Sequence, residues 1–452
     1  MYGRAPTPWE LPARKIQGIP DAPRSVPGCS GAAVEEFRAA PQHGPTESGS
    51  PYADPRSPRT HKCIHRVERR EELNSSQELP RWPQLTEDDI EAAVAALRSN
   101  RLVGLGNSTI EEFEAVLAAG QGVEHAVAVS TGTAAVHLAL HALDVGPGDE
   151  VIVPTHTFIG SASPVVYLGA RPVFADVTPD THCLDPVSVK SLITQRTKAI
   201  VAVHINGIAA DMAALTAVAA EAGVPVVEDA AQALGTEIGG RPVGGFGDLA
   251  CVSLFEQKVI TSGGEGGAVL TNNPVHAERV RRLRSHGEGP VSGSPGMIWA
   301  HEVGYNYRLT SVQAAIGIAQ HKRLGEMVEA RRRNAAHLSQ QLAGAEGLEL
   351  PVEPPGTTHA FWKYAVRVAP GGGRRPAADV AADLRSRGVP VLLRYPFPLH
   401  KQPAFAEHQE VSLPVAERLS QELLALPSHP GLTEGHLNHI ADEVRRAVAV
   451  TA

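Results

Sequence analysis

The sequence predicts an α/β fold: a large domain built on a mostly parallel sheet, followed by a smaller α+β domain. Three observations carry this. Between about residues 125 and 271, short apolar runs alternate with Ala- and Leu-rich helical stretches. Those runs are apolar throughout, as strands covered by helices on both faces must be. And 452 residues, 42% hydrophobic and 20% charged, are enough to bury two cores.

Taken in order, residues 1–80 hold 12 of the 36 prolines, with Ser, Gly and charge clusters such as RVERREE and no sustained apolar period. An extension without a packed core is expected there. Its HKCIH motif (His61, Cys63, His65) has a spacing that arises readily by chance, and we assign it no metal. Order is expected from WPQLTEDDIEAAVAALRSN, where Thr86 and Asp89 are spaced as a capping box and Ile90, Val94 and Leu97 share a helical face. Strands are expected at 125–130, 150–154, 171–176, 198–204 and 224–229, and two more, LACVSLF and GAVLTN, bracket a lysine loop. These seven complete a large domain at 81–320. An Ala- and Arg-rich helical region from 310 to about 344, the strand-like FWKYAVRVAP, the helix AADVAADLRSRG, the strand VPVLLRYP and two final helices point to a smaller domain at 321–452.

Composition excludes several classes. The net charge is −8 with no long block of one sign, so no nucleic-acid partner is expected. Cys29, Cys63, Cys183 and Cys251 are scattered, which fits neither a disulfide scaffold nor a zinc ribbon and suits a reducing cytoplasm. The opening residues contain no apolar run of signal-peptide length. The most apolar later stretch is interrupted by His137, His141 and a Ser-Thr-Gly-Thr turn, too polar for a membrane span.

Chemistry gathers at three strand ends. In VSTGTAAVHLAL a strand runs through Thr131-Gly132-Thr133 into a helix; N–H groups there can seat a phosphate, or Thr131 or Thr133 can simply cap the helix. No GxxxxGK[ST] loop and no strand-anchored GxGxxG is present. In VVEDAAQA a buried strand ends in Glu228-Asp229, so at least one carboxylate needs a cationic partner, either a structural salt bridge or a protonated ring nitrogen. Gln232 is expected to orient that carboxylate. In SLFEQKVITSGGEGG, Lys258 follows Ser253 by five residues and precedes a glycine-rich loop that lets a ligand approach the backbone. A lysine after a strand is by itself an ordinary surface charge. A phosphate seat, a carboxylate for a ring nitrogen and a lysine for an aldehyde, in that order, together describe pyridoxal 5′-phosphate. His137 and His141 lack the glutamate of a zinc motif and are expected to pack; His204 is expected to be structural.

From Trp82 to near the C-terminus, the segments LDVGPGDEVIVPTHTF, DVTPDTHCLDP, VEDAAQALG, GGEGGAVLTNN, GYNYRLTSVQAAIG and YPFPLHKQPAF resemble the DegT/DnrJ/StrS aminotransferases of fold type I, which aminate keto sugars and keto cyclitols. The resemblance implies that Lys258 forms a Schiff base with the cofactor and acts as general acid/base, while Asp229 pairs with the pyridinium nitrogen. It implies that Phe158 stacks on the ring, that Gly132, Thr133 and Ser253 hold the phosphate, and that Asn306 reaches the phosphate of a neighbouring subunit in a homodimer with shared sites. Arg308 would meet the carboxylate of the amino donor, and His400 the sugar. The implied activity is transfer of an amino group from glutamate or glutamine to a keto sugar, most often nucleotide-linked. Two departures stand beside the lysine: Leu254 replaces a usual Phe, and Phe255-Glu256-Gln257 replace residues that are often small or polar.

Other readings remain at this stage. An aminocyclitol aminotransferase or an aromatic amino acid synthase of the family would keep the same residues, whereas its dehydratases replace the lysine with histidine. A cofactor-binding regulatory protein without turnover has no need of an intact Lys258, Asp229 and Ser253.

Overall fold

The computed structural model describes residues 79–103, 106–294, 296–368, 375–407 and 411–449. The extension expected without a packed core, up to residue 78, lies outside the described residues, as do HKCIH, Cys29 and Cys63. Every described residue belongs to one compact unit.

The seven expected strands form one sheet. They are β1 (His125–Val129), β2 (Glu150–Pro154), β3 (Arg171–Ala175), β4 (Thr197–Val203), β5 (Val226–Asp229), β6 (Leu249–Ser253) and β7 (Gly267–Thr271), in the order β1-β7-β6-β5-β4-β2-β3. From β6 to β3 the neighbours pair in parallel; β7 runs antiparallel to both β6 and β1. Parallel pairing requires crossovers. Around the sheet lie α1 (Glu87–Arg98), α2 (Ser108–Gln121), α3 (Gly132–Ala142), α4 (Ser163–Tyr167), α5 (Pro186–Leu192), α6 (Met212–Ala222) and α7 (Pro274–Leu283). Along β1 the side chains alternate between two cores: Val127 and Val129 join Leu138 and Ile152 on one face, while Ala126 and Ala128 join Phe113 and Leu270 on the other. This is the both-faces burial that the apolar runs announced, and the architecture is that of fold type I.

Helix α1 begins as expected, with the Thr86 N–H donating to Asp89 Oδ2 at 2.8 Å. Its buried face differs from the expected one: Asp89 and Ala96 are buried, whereas Ile90 and Leu97 are exposed. The cause is polar, because Gln320 Nε2 (2.8 Å) and Arg323 Nη2 (2.6 Å) both donate to Asp89 and fix the rotation of the helix.

After β7, an unanticipated hairpin of β8 (Glu288–Pro290) and β9 (Ile298–Ala300) stands at the surface. The single helical region expected from 310 to 344 is two helices, α8 (Ser311–Lys322) and α9 (Leu324–Leu342), which meet at Arg323. A separate antiparallel sheet follows, made of β10 (Leu348–Glu349), β11 (Tyr364–Val368), β12 (Leu392–Leu393) and β13 (Leu423–Leu426) in the order β10-β11-β13-β12. With α9, α10 (Ala377–Ser386) and α12 (Glu434–Ala449) it encloses a third core that includes Tyr364, Leu384 and Ile440. α11 (Pro414–Glu422) leads into β13. The expected strand VPVLLRYP shortens to Leu392–Leu393, and its last residues turn toward the end of the large sheet.

Candidate active site

In a parallel sheet, the residues that leave the carboxyl ends of the strands share one edge. Asp229 is the last residue of β5 and is buried. Its Oδ2 accepts from Ser161 Oγ at 2.6 Å and its Oδ1 from the Ala231 N–H at 3.1 Å. The neighbouring Glu228 points to the other face and is fully committed there. It pairs with His204 Nε2 (3.0 Å) and accepts from the N–H groups of Gly244 (2.8 Å), Phe246 (2.6 Å) and Gly247 (2.7 Å). Burial works to raise the Glu228 carboxyl, but His204 and those N–H groups outweigh it and hold it below its ordinary range. The structural and functional readings of the Glu-Asp pair therefore divide between its two members, and His204 is structural.

Lys258 lies in the loop after β6. Its backbone carbonyl accepts from Trp82 Nε1 (3.1 Å), while the preceding Gln257 carbonyl accepts from Trp362 Nε1 (2.7 Å). The amine sits 4.2 Å from the centroid of the Trp362 ring. Burial lowers its pKa from 10.5 to about 7. Asp229 pulls that value upward, Arg394 and Lys363 push it down, and Glu265 opposes them. Lys258 and Asp229 thus act on one another across the same space. Arg394 lies 4.8 Å from the Trp362 centroid and 4.3 Å from that of Tyr395, and its Nη2 donates to Tyr395 Oη at 2.8 Å.

Helix α3 starts just after β1, beside Ser253 at the end of β6. Thr131 Oγ1 accepts the Ala134 N–H at 3.0 Å, so Thr131 is the cap. A Cβ at Gly132 would come within 2.7 Å of Ser253 Cβ and 3.1 Å of its Oγ, so only glycine leaves a gap between this helix terminus and Ser253. A Cβ at Gly160 would lie 2.8 Å from Thr133 Oγ1 and 3.0 Å from the Phe158 ring, which places Thr133 and Phe158 side by side. Phe158 is 56% exposed.

Two of the expected residues do other work, and two lie on a strap. Gln232 lies in a turn rather than a helix and leaves Asp229 alone; its amide accepts from the Asn206 N–H (2.8 Å) and donates to Tyr395 Oη (3.2 Å). Ser161 orients Asp229 instead. His400 has both ring nitrogens engaged, with Thr155 Oγ1 (2.6 Å) and Glu417 (3.1 Å), and so braces the chain after β12 against the end of β2. Asn306 and Arg308 lie on a strap along the end of β1, held by Tyr307 O accepting the Ser130 N–H (2.8 Å) and by bridges from Arg308 to Val129 and from Asn306 to Ser285. On that strap Tyr305 and Tyr307 meet His141 (3.1 Å) and His137 (3.2 Å), which accounts for both histidines by packing.

Sequence reasoning missed Ser161, His156, Trp362, Lys363, Arg394 and Tyr395. His156 is buried with no partner at either ring nitrogen, and lies 5.7 Å edge-on from Tyr395. Burial first, then His182 and Arg394, lower its pKa to about 3, so it is a neutral wall. The signal for Trp362 and Tyr395 was aromatic residues next to cations in FWKY and RYP, which read equally well as strand.

A model of the DegT/DnrJ/EryC1/StrS aminotransferase family matches residues 83–445. The chain belongs to that family. It is 38% identical over 371 residues to UDP-N-acetyl-3-dehydro-alpha-D-glucosamine 3-aminotransferase of Acidithiobacillus ferrooxidans, covering 80% of this chain and 97% of that one. It is 37% identical over 402 residues to L-glutamine:2-deoxy-scyllo-inosose aminotransferase of Streptoalloteichus tenebrarius, covering 82% and 94%. Among solved structures, DesV of S. venezuelae in complex with a ketimine intermediate superimposes with a TM-score of 0.73 at 36% identity, covering 84% of this chain and 96% of that one. The protein is thus a transaminase of a pyridoxal-phosphate-dependent family, as the three strand ends suggested.

The site accommodates that cofactor. A glycine-walled gap faces Ser253 at a helix N-terminus, and an amine and an acid border one space. Among the described residues, no group of three or more His, Cys, Asp or Glu side chains is placed to hold a metal, and no helix is long and apolar enough to cross a membrane.

Proposed function

We propose that the protein moves an amino group from glutamate or glutamine to a keto carbon of a nucleotide-linked sugar, with Lys258 as the proton carrier. The observation that carries this reading is the placement of the Lys258 amine, 4.2 Å from the Trp362 ring centroid and within electrostatic reach of Asp229; burial lowers its pKa to about 7, where it can take and return a proton at neutral pH. Pyridoxal phosphate supplies an aldehyde for amines and a protonated ring that stores the electron pair released when a C–H bond breaks. Asp229, aligned by Ser161 and the Ala231 N–H, keeps that ring nitrogen protonated. Gly132, Thr133 and Ser253 hold the phosphate against the N-terminus of α3, where the helix dipole favours an anion. Phe158 covers one side of the ring. Lys258, once released as an amine, removes the donor's α-proton, and in the second half-reaction it delivers a proton to the acceptor.

In this reading residues 81–320 hold the cofactor, and residues 321–452 close the site through Trp362, Lys363, Arg394 and Tyr395. The working form is a homodimer with shared sites, to which Asn306 and Arg308 contribute across the interface, Arg308 meeting the donor carboxylate. Asn306 is exposed, and so are Ile90, Leu97, Leu102, Val103 and Val303, an apolar set suited to burial against a second copy. We place the enzyme in the cytoplasm, which suits the free, buried thiols of Cys183 and Cys251.

The test has two parts. Borohydride reduction of the cofactor-loaded protein followed by peptide mass spectrometry should find the cofactor on the peptide bearing Lys258, and Lys258→Ala should abolish that adduct. Attachment at another lysine sinks the assignment. A panel of keto sugar nucleotides and keto inositols, assayed with glutamine and glutamate, then fixes the acceptor. Turnover of keto inositols alone would replace the nucleotide-sugar reading by the cyclitol reading that the Streptoalloteichus relative represents.

A further inference from the structure

The loop that carries Lys258 is held from outside at two consecutive carbonyls. Trp82, in the segment just before α1, donates its indole N–H to the Lys258 carbonyl (3.1 Å), and Trp362, just before β11, donates to the Gln257 carbonyl (2.7 Å). The Lys258 N–H is engaged as well, donating to the Phe255 carbonyl at 2.9 Å. Both backbone polar groups of the reactive residue therefore have partners. Glu256 and Gln257 are exposed, so the loop is gripped by its backbone at this point.

One side chain ties the two indoles together. Arg331, on α9, is only 2% exposed. Its Nη1 donates to the Trp362 carbonyl (3.3 Å), and its guanidinium lies over the Trp82 ring, 5.0 Å from the centroid. His429 stacks on the same ring, with centroids 5.8 Å apart and planes 29° from parallel. A guanidinium within about 6 Å of an indole face is attracted by the ring's quadrupole, more strongly where water is excluded. The Trp82 ring is thus fixed by groups from α9 and from the chain after β13 while its N–H reaches the lysine.

Under the proposed function Lys258 is bonded to the cofactor at one stage and at the next is a free amine that carries a proton. Its stem is long and flexible. Once the bond to the cofactor is gone, backbone and packing alone keep the amine near the carbon it serves. Proton transfer needs heavy atoms about 3 Å apart, and a displacement of about 1 Å can cost about 100-fold in rate. We infer that Trp82 is a positioning residue of this transamination: by holding the Lys258 carbonyl, its indole N–H keeps the released amine at the distance from which it takes and returns the proton. The inference rests on the function proposed above.

Stopped-flow absorbance of the cofactor-loaded protein with saturating glutamate or glutamine tests this. Trp82→Phe keeps a ring for Arg331 and His429 and removes the N–H. Its half-reaction should slow roughly tenfold at full amplitude. The half-saturating donor concentration should be unchanged, and borohydride reduction should still find the cofactor on the Lys258 peptide. Loss of folded protein lowers the amplitude and leaves the rate constant alone, so a positional effect and a structural one read differently. Should Trp82→Phe fail to fold, the benzothiophene analogue of tryptophan placed at position 82, which has the shape of the indole and no N–H, reads the same bond and should show the same loss. A wild-type rate constant in the variant that folds, with or without a fall in amplitude, overturns the inference. If the wild type converts its cofactor with the donor and Trp82→Phe matches it, the positioning role fails and the transaminase reading stands; a wild type inert toward both donors removes both.

Discussion

The proton affinity of Lys258 gives the sharpest quantitative expectation. An ordinary lysine with a pKa of 10.5 is neutral in roughly one molecule in 3000 at pH 7, whereas an amine held at about 7 is neutral in roughly half. In the cofactor-free protein, the rate at which an amine-selective reagent labels Lys258, followed by peptide mass spectrometry from pH 5 to 10, should rise to a midpoint near 7. The neighbours fix the direction in variants. Asp229→Asn removes the carboxylate that favours the proton and should move the midpoint down; Arg394→Gln or Lys363→Gln removes a repelling cation and should move it up. Stability follows with a definite sign. Because the folded pKa is depressed, the protonated amine opposes folding below about pH 7, and that opposition fades as pH rises from 7 toward the unfolded value of 10.5. The gap corresponds to about 5 kcal/mol at complete burial. Lys258 is partly exposed, and water reaching its side chain reduces the figure to on the order of 2 kcal/mol. Lys258→Met should therefore raise the Tm of the cofactor-free protein by a few degrees at pH 6 and by less at pH 9. A labelling midpoint near 10, unmoved by Asp229→Asn, would refute the account of a desolvated amine facing an acid.

Three further perturbations test the parts around it. Gly132→Ala places a methyl within 2.7 Å of Ser253 Cβ, so cofactor affinity measured by fluorescence titration should fall about tenfold or more while the fold persists; unchanged affinity would remove Gly132 from the phosphate seat. Ser161→Ala deletes the 2.6 Å hydrogen bond to Asp229 and should slow the glutamate half-reaction roughly tenfold in stopped-flow absorbance, about the value of one hydrogen bond to a charge; a wild-type rate would show that Asp229 needs no such support. Glu228→Gln should cost about 2–3 kcal/mol in denaturant unfolding at pH 7, because a buried acceptor of three N–H groups loses its charge. Since the folded carboxyl is held low, its contribution is present above the ordinary carboxylate range and is lost as pH falls, so the variant's acid-unfolding limb should be shallower.

The large sheet was legible because burial on both faces writes itself into local composition: β1 to β7 match the expected runs, with β4 starting one residue early at Thr197, and the ends of those runs bring Gly132 beside Ser253. What was not legible depends on partners far along the chain. Nothing in EDDIEAAVAALR says that Asp89 will be claimed by Gln320 and Arg323, so periodicity chose the wrong face of α1. The assignment of Gln232 to Asp229 failed for the same reason: two residues three apart suggested one helical turn, whereas the amide is drawn to Asn206 and Tyr395. Ser161 gave no signal of its own, because a serine in a turn acquires a role only when a strand 68 positions later brings Asp229 to it.

The same reasoning explains why Lys258 could be located but not tuned from sequence. Its position is a matter of strand ends, and strand ends are local. Its proton affinity is set by Asp229 on one side and by Lys363 and Arg394 on the other, with Trp362 lying against the amine. The last three belong to segments at either side of the second sheet, more than 100 positions downstream. Any movement of that sheet relative to the first changes the cation count around the amine and with it the fraction able to take a proton. Under the proposed function, covering the site and setting the lysine's basicity fall to the same residues, and a substitution that loosens the packing of Trp362 on Lys258 should alter both together.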